Sequence, residues 1–293
     1  MVTPSIENIV KLYPNVKISL IGENKCLDIF KKHPNVIKFH EIKKSYWDIF
    51  LKAKSLDFYD LFLSFRKTYR SNFLNYLVKA EKKFQYKKQK FVTGHQVEKY
   101  SLFVHSTLGT VKSAGLLQIY NNKVKFIQQK KVGINVGAAY GNAKKWNLNK
   151  FSEVAIQLSE DYEIILFGSI NEQTATQEIE NNLRKSGIEN YRNLAGTTSV
   201  AELIDEISEL SLFITGDSGP MHIAAAFQIP TISLFGPTKH EETCQWKNSK
   251  SLILKKDLEC QPCMKRTCPL IHHNCMEMIS VREVLKAIEK FNL

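Results

Sequence analysis

Asp217, Ser218 and His222 can each hold a hydroxyl or a phosphate oxygen, or move a proton. One short stretch, Gly216-Asp217-Ser218-Gly219-Pro220-Met221-His222, brings them together. The glycines permit sharp backbone angles, and Pro220 suits the first turn of a helix. A helix opening at 221 points its free N–H groups and positive dipole end at this turn, which favours an anion. Asp217 is also a residue type that caps helices, and residue type alone leaves both roles open. His222, the small run Ala224-Ala225-Ala226 and a second turn at Phe235-Gly236-Pro237-Thr238 favour a ligand.

A second constellation is Gly137-Ala138-Ala139-Tyr140-Gly141-Asn142-Ala143-Lys144-Lys145-Trp146. Gly and Ala let a phosphate approach the backbone closely, and Lys144 adds a point charge. The spacing is neither G-x-G-x-x-G nor a Walker loop. Glu172 opens a predicted helix, where a carboxylate either holds the paired hydroxyls of a ribose or complements the helix dipole. Arg66 and Arg70 follow a predicted strand end, as phosphate or carboxylate binders or as exposed helix residues. Cys260, Cys263, Cys268 and Cys275 cluster with His272 and His273. The C-x2-C half suits zinc, but the second pair is spaced irregularly. Reduced structural thiols are the first expectation, zinc the second and disulfides the last.

Short apolar strands alternating with helices must position these groups. In the second half, strands are expected at 132–136, 163–167, 212–215 and 231–235. Helices are expected at 151–158, 172–185, 200–210, 221–227 and 281–291, with a loop at 193–198. In the first half, helices are expected at 1–13, 26–33 and 46–56, and strands at 16–21, 36–39 and 59–65. Such alternation predicts a parallel α/β sheet in each half. Residues 79–90 read as a basic loop or mobile segment whose Phe84 and Tyr86 could touch lipid. Residues 112–129 are polar and irregular, which places a linker near Lys130 and domains at 1–130 and 131–293. A doubly wound domain starts on a strand, yet this chain starts on a helix.

The pattern D-S-G-P-M-H-x-A-A followed by a strand and F-G-P-T resembles glycosyltransferase family 9, the bacterial ADP-heptose–lipopolysaccharide heptosyltransferases. The segment from Gly137 to Trp146 is similar to the family's P-G-A-x-x-G-x-A-K-R-W, with Val136 and Asn147 where prolines are usual. His95-Gln96-Val97-Glu98-Lys99-Tyr100 resembles its H-x-V-E-R-Y. The resemblance implies the GT-B fold: α/β, with two Rossmann-like domains facing a cleft and a final helix packing back on the first. It implies an inverting transferase that needs no cofactor and takes heptose from ADP-heptose. The acceptor would be the inner core of lipopolysaccharide (heptosyl-Kdo–lipid A) at the cytoplasmic surface of the inner membrane. Donor-binding residues would be Ala138, Ala139, Tyr140, Lys144, Glu172, Asp217, Ser218, Gly219 and His222, and acceptor-binding residues Arg66 and Arg70. Thr3-Pro4-Ser5-Ile6 matches a helix that, in the family, follows a first strand and a Gly-Asp turn. That aspartate, the family's proposed base, has no counterpart here, so the catalytic base is unassigned. The expectation is a start upstream of Met1. Another nucleotide sugar, or a non-catalytic nucleotide-binding remnant, are the competing readings.

A chain of 293 residues suits two cores, and 43% hydrophobic with 24% charged residues is a soluble composition. No apolar run nears the ~20 residues of a membrane span. No export signal is evident, so the cytoplasm is expected. Residues 1–131 hold 25 of the 41 Lys and Arg but 9 of the 29 Asp and Glu, a net charge of +16, against −4 for the remainder. The first half therefore expects an anionic partner. No nucleic-acid motif accompanies the charge, which leaves a phosphorylated glycolipid or an anionic lipid surface.

Overall fold

The computed structural model describes residues 1–87, 93–121, 130–138 and 140–293. Residues 88–90 of the basic stretch, 122–129 of the expected linker, and Ala139 lie outside the described residues. The chain divides into two compact units, Met1–Asn122 and Lys123–Leu293.

The first unit runs α1 (Thr3–Leu12), β1 (Ile18–Gly22), α2 (Asn24–Leu27), β2 (Val36–Glu41), α3 (Tyr46–Lys54), β3 (Tyr59–Ser64), α4 (Tyr69–Leu77), β4 (Ala80–Gln85) and α5 (Gln96–Leu108). β1 pairs with β2 and β3 with β4, both in parallel. Among the described residues the two pairs do not join into one sheet. Among the described residues β1 and β3 each bond along one edge. Ile49, Ala53, Leu56, Leu74 and Val78 form a core that draws in Ile21 of β1 and Phe62 of β3. Helices α3 and α4 thus pack against both pairs. α1 is held differently. Ile6 and Ile9 are buried, but so is Asn8, whose Nδ2 lies 3.2 Å from Ser101 Oγ on α5 and 3.1 Å from the Val111 and Ser113 carbonyls.

The stretch expected as a basic loop at 79–90 contains β4. Its lysines mask the strand, and each has an outlet. Lys82 is exposed, and Lys83 Nζ donates to the Asn75 and Tyr76 carbonyls at the end of α4, at 3.2 and 3.3 Å. A cation is favoured at that helix end. Tyr86 of the same stretch is half-buried. Its ring meets Tyr100 and Phe103 of α5 edge-on, at 5.1 and 5.8 Å between centroids.

The second unit runs β5 (Lys131–Asn135), α6 (Leu148–Leu158), β6 (Glu163–Phe167), α7 (Gln173–Lys185), β7 (Tyr191–Asn193), α8 (Val200–Ser208), β8 (Leu212–Gly216), α9 (Gly219–Ala226), β9 (Thr231–Phe235), α10 (His240–Thr243), β10 (Ser251–Lys255), α11 (Asn274–Glu277) and α12 (Val281–Glu289). One parallel sheet has the order β10-β9-β8-β5-β6-β7. Its central strands are apolar runs because helices cover both faces. Val132, Ile134, Ile164, Leu166, Leu212, Ile214, Ile232 and Leu234 pack on α6, α7 and α12. The intervening residues face the other way, as strand periodicity requires. The final helix, expected to return to the first domain, buries Val281, Val284, Ala287 and Ile288 in the second unit's own core.

Gly133, at the middle of β5, shows how tightly the opposite face is filled. A Cβ there would stand 2.5 Å from Leu210, 2.7 Å from Phe213 and 2.9 Å from Phe167. Gly133→Ala should therefore overpack the sheet and lower stability by about 1–3 kcal/mol. Urea unfolding followed through tryptophan fluorescence measures this, and an unchanged midpoint would contradict the packing.

Candidate functional site

The order of the second sheet reverses between β5 and β8. The chain winds outward from β5 through β7, then returns to β8 and winds outward through β10. Loops at the carboxyl ends of such neighbouring strands diverge, and the crevice between them is where open α/β sheets bind ligands. Here those loops are residues 136–147 and the turn at 216–219, so the two sequence constellations meet at one place.

Lys144 and Asp217 make the junction. Lys144 closes a short 3-10 turn over Asn142–Lys144, and its Nζ stands 2.5 Å from Asp217 Oδ2. It also donates to the Asp217 carbonyl at 3.2 Å and lies 4.7 Å from the centre of the Tyr140 ring. Thr238 Oγ1 donates to the same carboxylate oxygen at 2.8 Å, which brings in the second turn. The two charged side chains are 9% and 8% exposed. Asp217 therefore serves as counter-ion to Lys144 rather than as a helix cap.

Asn135 was not singled out from sequence, yet it ties the two loops together beneath this pair. It ends β5 at 3% exposure, and its Nδ2 donates to Thr215 Oγ1 at 2.9 Å and to Ser218 Oγ at 3.2 Å. The Thr215 and Ser218 hydroxyls are 3.0 Å apart. The available signal was an amide at the end of an otherwise apolar strand. Ser218 occupies the N-cap position of α9, but no side chain caps that helix. Gly219 begins α9 in the open, and His222 follows on the same turn, half-buried.

Around this centre the loop after β5 is pinned at both ends. A Cβ on Gly137 would stand 3.2 Å from Asn135 Oδ1 and 3.6 Å from Glu172 Oε2, so the backbone passes close to both groups. Ala138 is buried, and its carbonyl accepts from the Gly141 N–H at 3.0 Å. At the far end Trp146 is buried and donates from Nε1 to the Ile279 carbonyl at 3.0 Å. Glu172 ends a 3-10 turn as the partner of Ser169 in a capping box. It accepts from the Ser169 N–H at 2.8 Å and from the Ser169 hydroxyl. Its carboxylate thus has a local structural role while lying beside the Gly137 backbone. The loop at 193–198 joins the same rim, where the Gly196 N–H donates to the Gly168 carbonyl at 2.9 Å.

The remaining sequence candidates are Arg66, Arg70 and the cysteines. Arg66 is exposed after β3, and its carbonyl accepts from Ser64, Ser71 and Gln85 side chains. Arg70 lies in the first turn of α4 and donates to the Lys44 carbonyl at 2.9 Å. All six cysteines are free. Burial, then the neighbouring Cys263, Cys268 and Cys260 thiols, push the Cys275 thiol up to about 11. Among the described residues, no group of three or more His, Cys, Asp or Glu is arranged to hold a metal ion.

The family model described as Glycosyltransferase family 9 (heptosyltransferase) matches residues 63–273. Lipooligosaccharide heptosyltransferase 2 of Campylobacter jejuni subsp. jejuni serotype O:6 is 33% identical over 300 residues, covering 100% of this chain and 95% of its own. Lipopolysaccharide heptosyltransferase 2 of Escherichia coli K12 is 37% identical over 113 residues, 38% of this chain and 32% of its own. Among solved structures, a glycosyl transferase family 9 protein from Veillonella parvula superposes with a TM-score of 0.84 at 19% identity, covering 99% of this chain and 92% of that one. The E. coli ADP-heptose lps heptosyltransferase II superposes at 0.82 and 19% identity, covering 99% and 94%. At that identity the structures establish the fold.

Removing one member of a buried ion pair leaves the other charge uncompensated, at a cost of about 3–5 kcal/mol. Lys144→Met and Asp217→Asn should each destabilise the second unit. The double variant should lose clearly less than the sum of the two. A double-mutant cycle by urea unfolding reads the coupling, and additive losses would show that the pair does not hold the two loops together.

Proposed function

The chain belongs to glycosyltransferase family 9, the heptosyltransferases, and from that premise we propose that it moves heptose from ADP-L-glycero-D-manno-heptose to the lipopolysaccharide inner core. The single observation that carries this reading is the likeness over the full chain to lipooligosaccharide heptosyltransferase 2. It is an inverting transferase of GT-B type. The acceptor hydroxyl attacks the anomeric carbon from the side opposite the departing ADP. Positive charge develops on the sugar ring and negative charge on the leaving diphosphate.

The second unit supplies part of what the leaving group needs. The uncapped first turn of α9 offers backbone N–H groups, and Lys144 is held ready at the crevice by Asp217. Gly137 keeps the backbone of Ala138 and Tyr140 open to close approach, while Glu172 stands where the ribose hydroxyls fall. His222 and Asp217 orient the diphosphate or the heptose hydroxyls. In the first unit Arg66 and Arg70 take acceptor phosphates, and the excess of lysine holds the protein against the anionic cytoplasmic face of the inner membrane. No helix among the described residues is long and apolar enough to cross a membrane, and the attachment proposed is peripheral.

Incubation with ADP-heptose and heptosyl-Kdo–lipid A should yield an acceptor heavier by one heptose, together with free ADP. Mass spectrometry of the product decides it. Preference for a UDP- or GDP-sugar would place the protein elsewhere in the family, and donor binding without transfer would make it a nucleotide-binding remnant.

The charge excess gives a second expectation. Association with vesicles containing anionic lipid should fall steeply as salt rises from low to well above physiological, because attraction is screened within about 8 Å at physiological ionic strength. Co-sedimentation measures it. Equal binding to neutral phosphatidylcholine vesicles, or binding insensitive to salt, would rule out electrostatic attachment.

A further inference from the structure

The charges that meet at the switch point do not by themselves favour a diphosphate. Lys144 is neutralised by Asp217 at 2.5 Å, and Glu172 adds a further negative charge beside the Gly137 backbone. These three side chains sum to −1, which the partial positive charge of a helix start offsets only in part. A ligand carrying two or more negative charges needs another cation.

Arg266 stands at this place. It lies on the cysteine-rich segment between β10 and α11, which crosses the loop after β5 like a strap. The Tyr140 hydroxyl donates to the Met264 carbonyl at 2.7 Å, and the Ala143 N–H donates to the Arg266 carbonyl at 3.0 Å. His273 Nε2 lies 2.7 Å from the Ala143 carbonyl. On the turn after β9, the Met264 N–H donates to the Pro237 carbonyl at 2.8 Å, and Gln261 Nε2 to the Gly236 carbonyl at 2.7 Å. Contact is close enough that a Cβ on Gly141 would stand 2.4 Å from the Arg266 carbonyl oxygen. The Arg266 guanidinium lies 5.5 Å from the centre of the Tyr140 ring, the same ring that Lys144 approaches at 4.7 Å.

Among the described residues Arg266 makes no ion pair and no side-chain hydrogen bond, so the aromatic contact places it while its N–H donors point to no protein partner. A guanidinium seated on a ring, with its fork of donors unused, is suited to two phosphate oxygens at once. We infer that Arg266 is a donor-binding residue for the nucleotide diphosphate, aligned by Tyr140 beside Lys144, and that the strap carrying it forms part of the site. This rests on the reading of the second unit as the ADP-sugar domain. It gives Tyr140 a role for its ring, in addition to its backbone. The strap is fastened through the backbone of Met264 and Arg266, so replacing the exposed Arg266 side chain leaves the fastening intact.

Calorimetry with ADP and with adenosine, on the full chain, tests the assignment. Arg266→Met should weaken ADP by about tenfold or more, the range of a charge-assisted hydrogen bond, and change adenosine less than about twofold. Arg266→Lys should recover part of the loss, and Tyr140→Leu should reproduce it. The neighbouring exposed Lys265→Met should bind ADP as the unaltered protein does. If Arg266→Met binds ADP normally, or if adenosine weakens equally, Arg266 does not contact the diphosphate, while the ADP-sugar reading stands. If the unaltered chain binds no ADP, that reading falls and takes this assignment with it.

Discussion

A lysine and an aspartate whose side chains are more than nine-tenths buried cannot be separated cheaply, because each would keep a charge that water no longer solvates. Lys144 and Asp217 are 73 residues apart in sequence, on loops that follow adjacent parallel strands. Their 2.5 Å contact fixes the width of the crevice between those loops. Everything else at the site is arranged around that distance. Thr238 shares the carboxylate from above, Asn135 links Thr215 to Ser218 from below, and Trp146 holds the far end of the loop. The pair also sets an electrostatic condition. A lysine already matched by its counter-ion presents little net charge to the crevice.

The second unit's sheet was legible in the sequence wherever helices cover both faces, since such strands must be apolar along their whole length. The ranges 163–167 and 231–235 agree with β6 and β9 to the residue. The misses fall on strands whose surroundings do not impose that pattern. β4 reads as a solvated loop because its lysines find α4 carbonyls and open water rather than a second helix layer. β7 has three residues, too few for any period to show. β10 lies at the sheet edge, half-buried, and its short apolar run sits between lysines. In α1 Ile6 and Ile9 are buried, but Asn8 carries the helix's connection to α5 through hydrogen bonds that no hydropathy pattern reports.

At the site, residue types pointed to Lys144 and Asp217 but not to their contact, because pairing across a sheet follows from topology rather than spacing. Glu172 shows the converse. Its position near a helix start fitted both a ribose ligand and a local structural role. The capping box with Ser169 makes the structural role concrete without removing the carboxylate from the rim. Asn135 and Arg266 escaped notice for opposite reasons. The first lies inside an apolar strand. The second stands in a segment whose cysteines drew attention to metal chemistry.

The strap is fastened to the loop after β5 chiefly by carbonyl oxygens and N–H groups of its own backbone. Main-chain fastenings do not depend on the side chains beside them, so replacing Lys265 or Arg266 leaves them in place, whereas Gln261 and His273 hold the strap through their side chains. The same segment spans two turns of the sheet, because its Met264 N–H also donates to the Pro237 carbonyl after β9, so a change in its backbone would be felt at both.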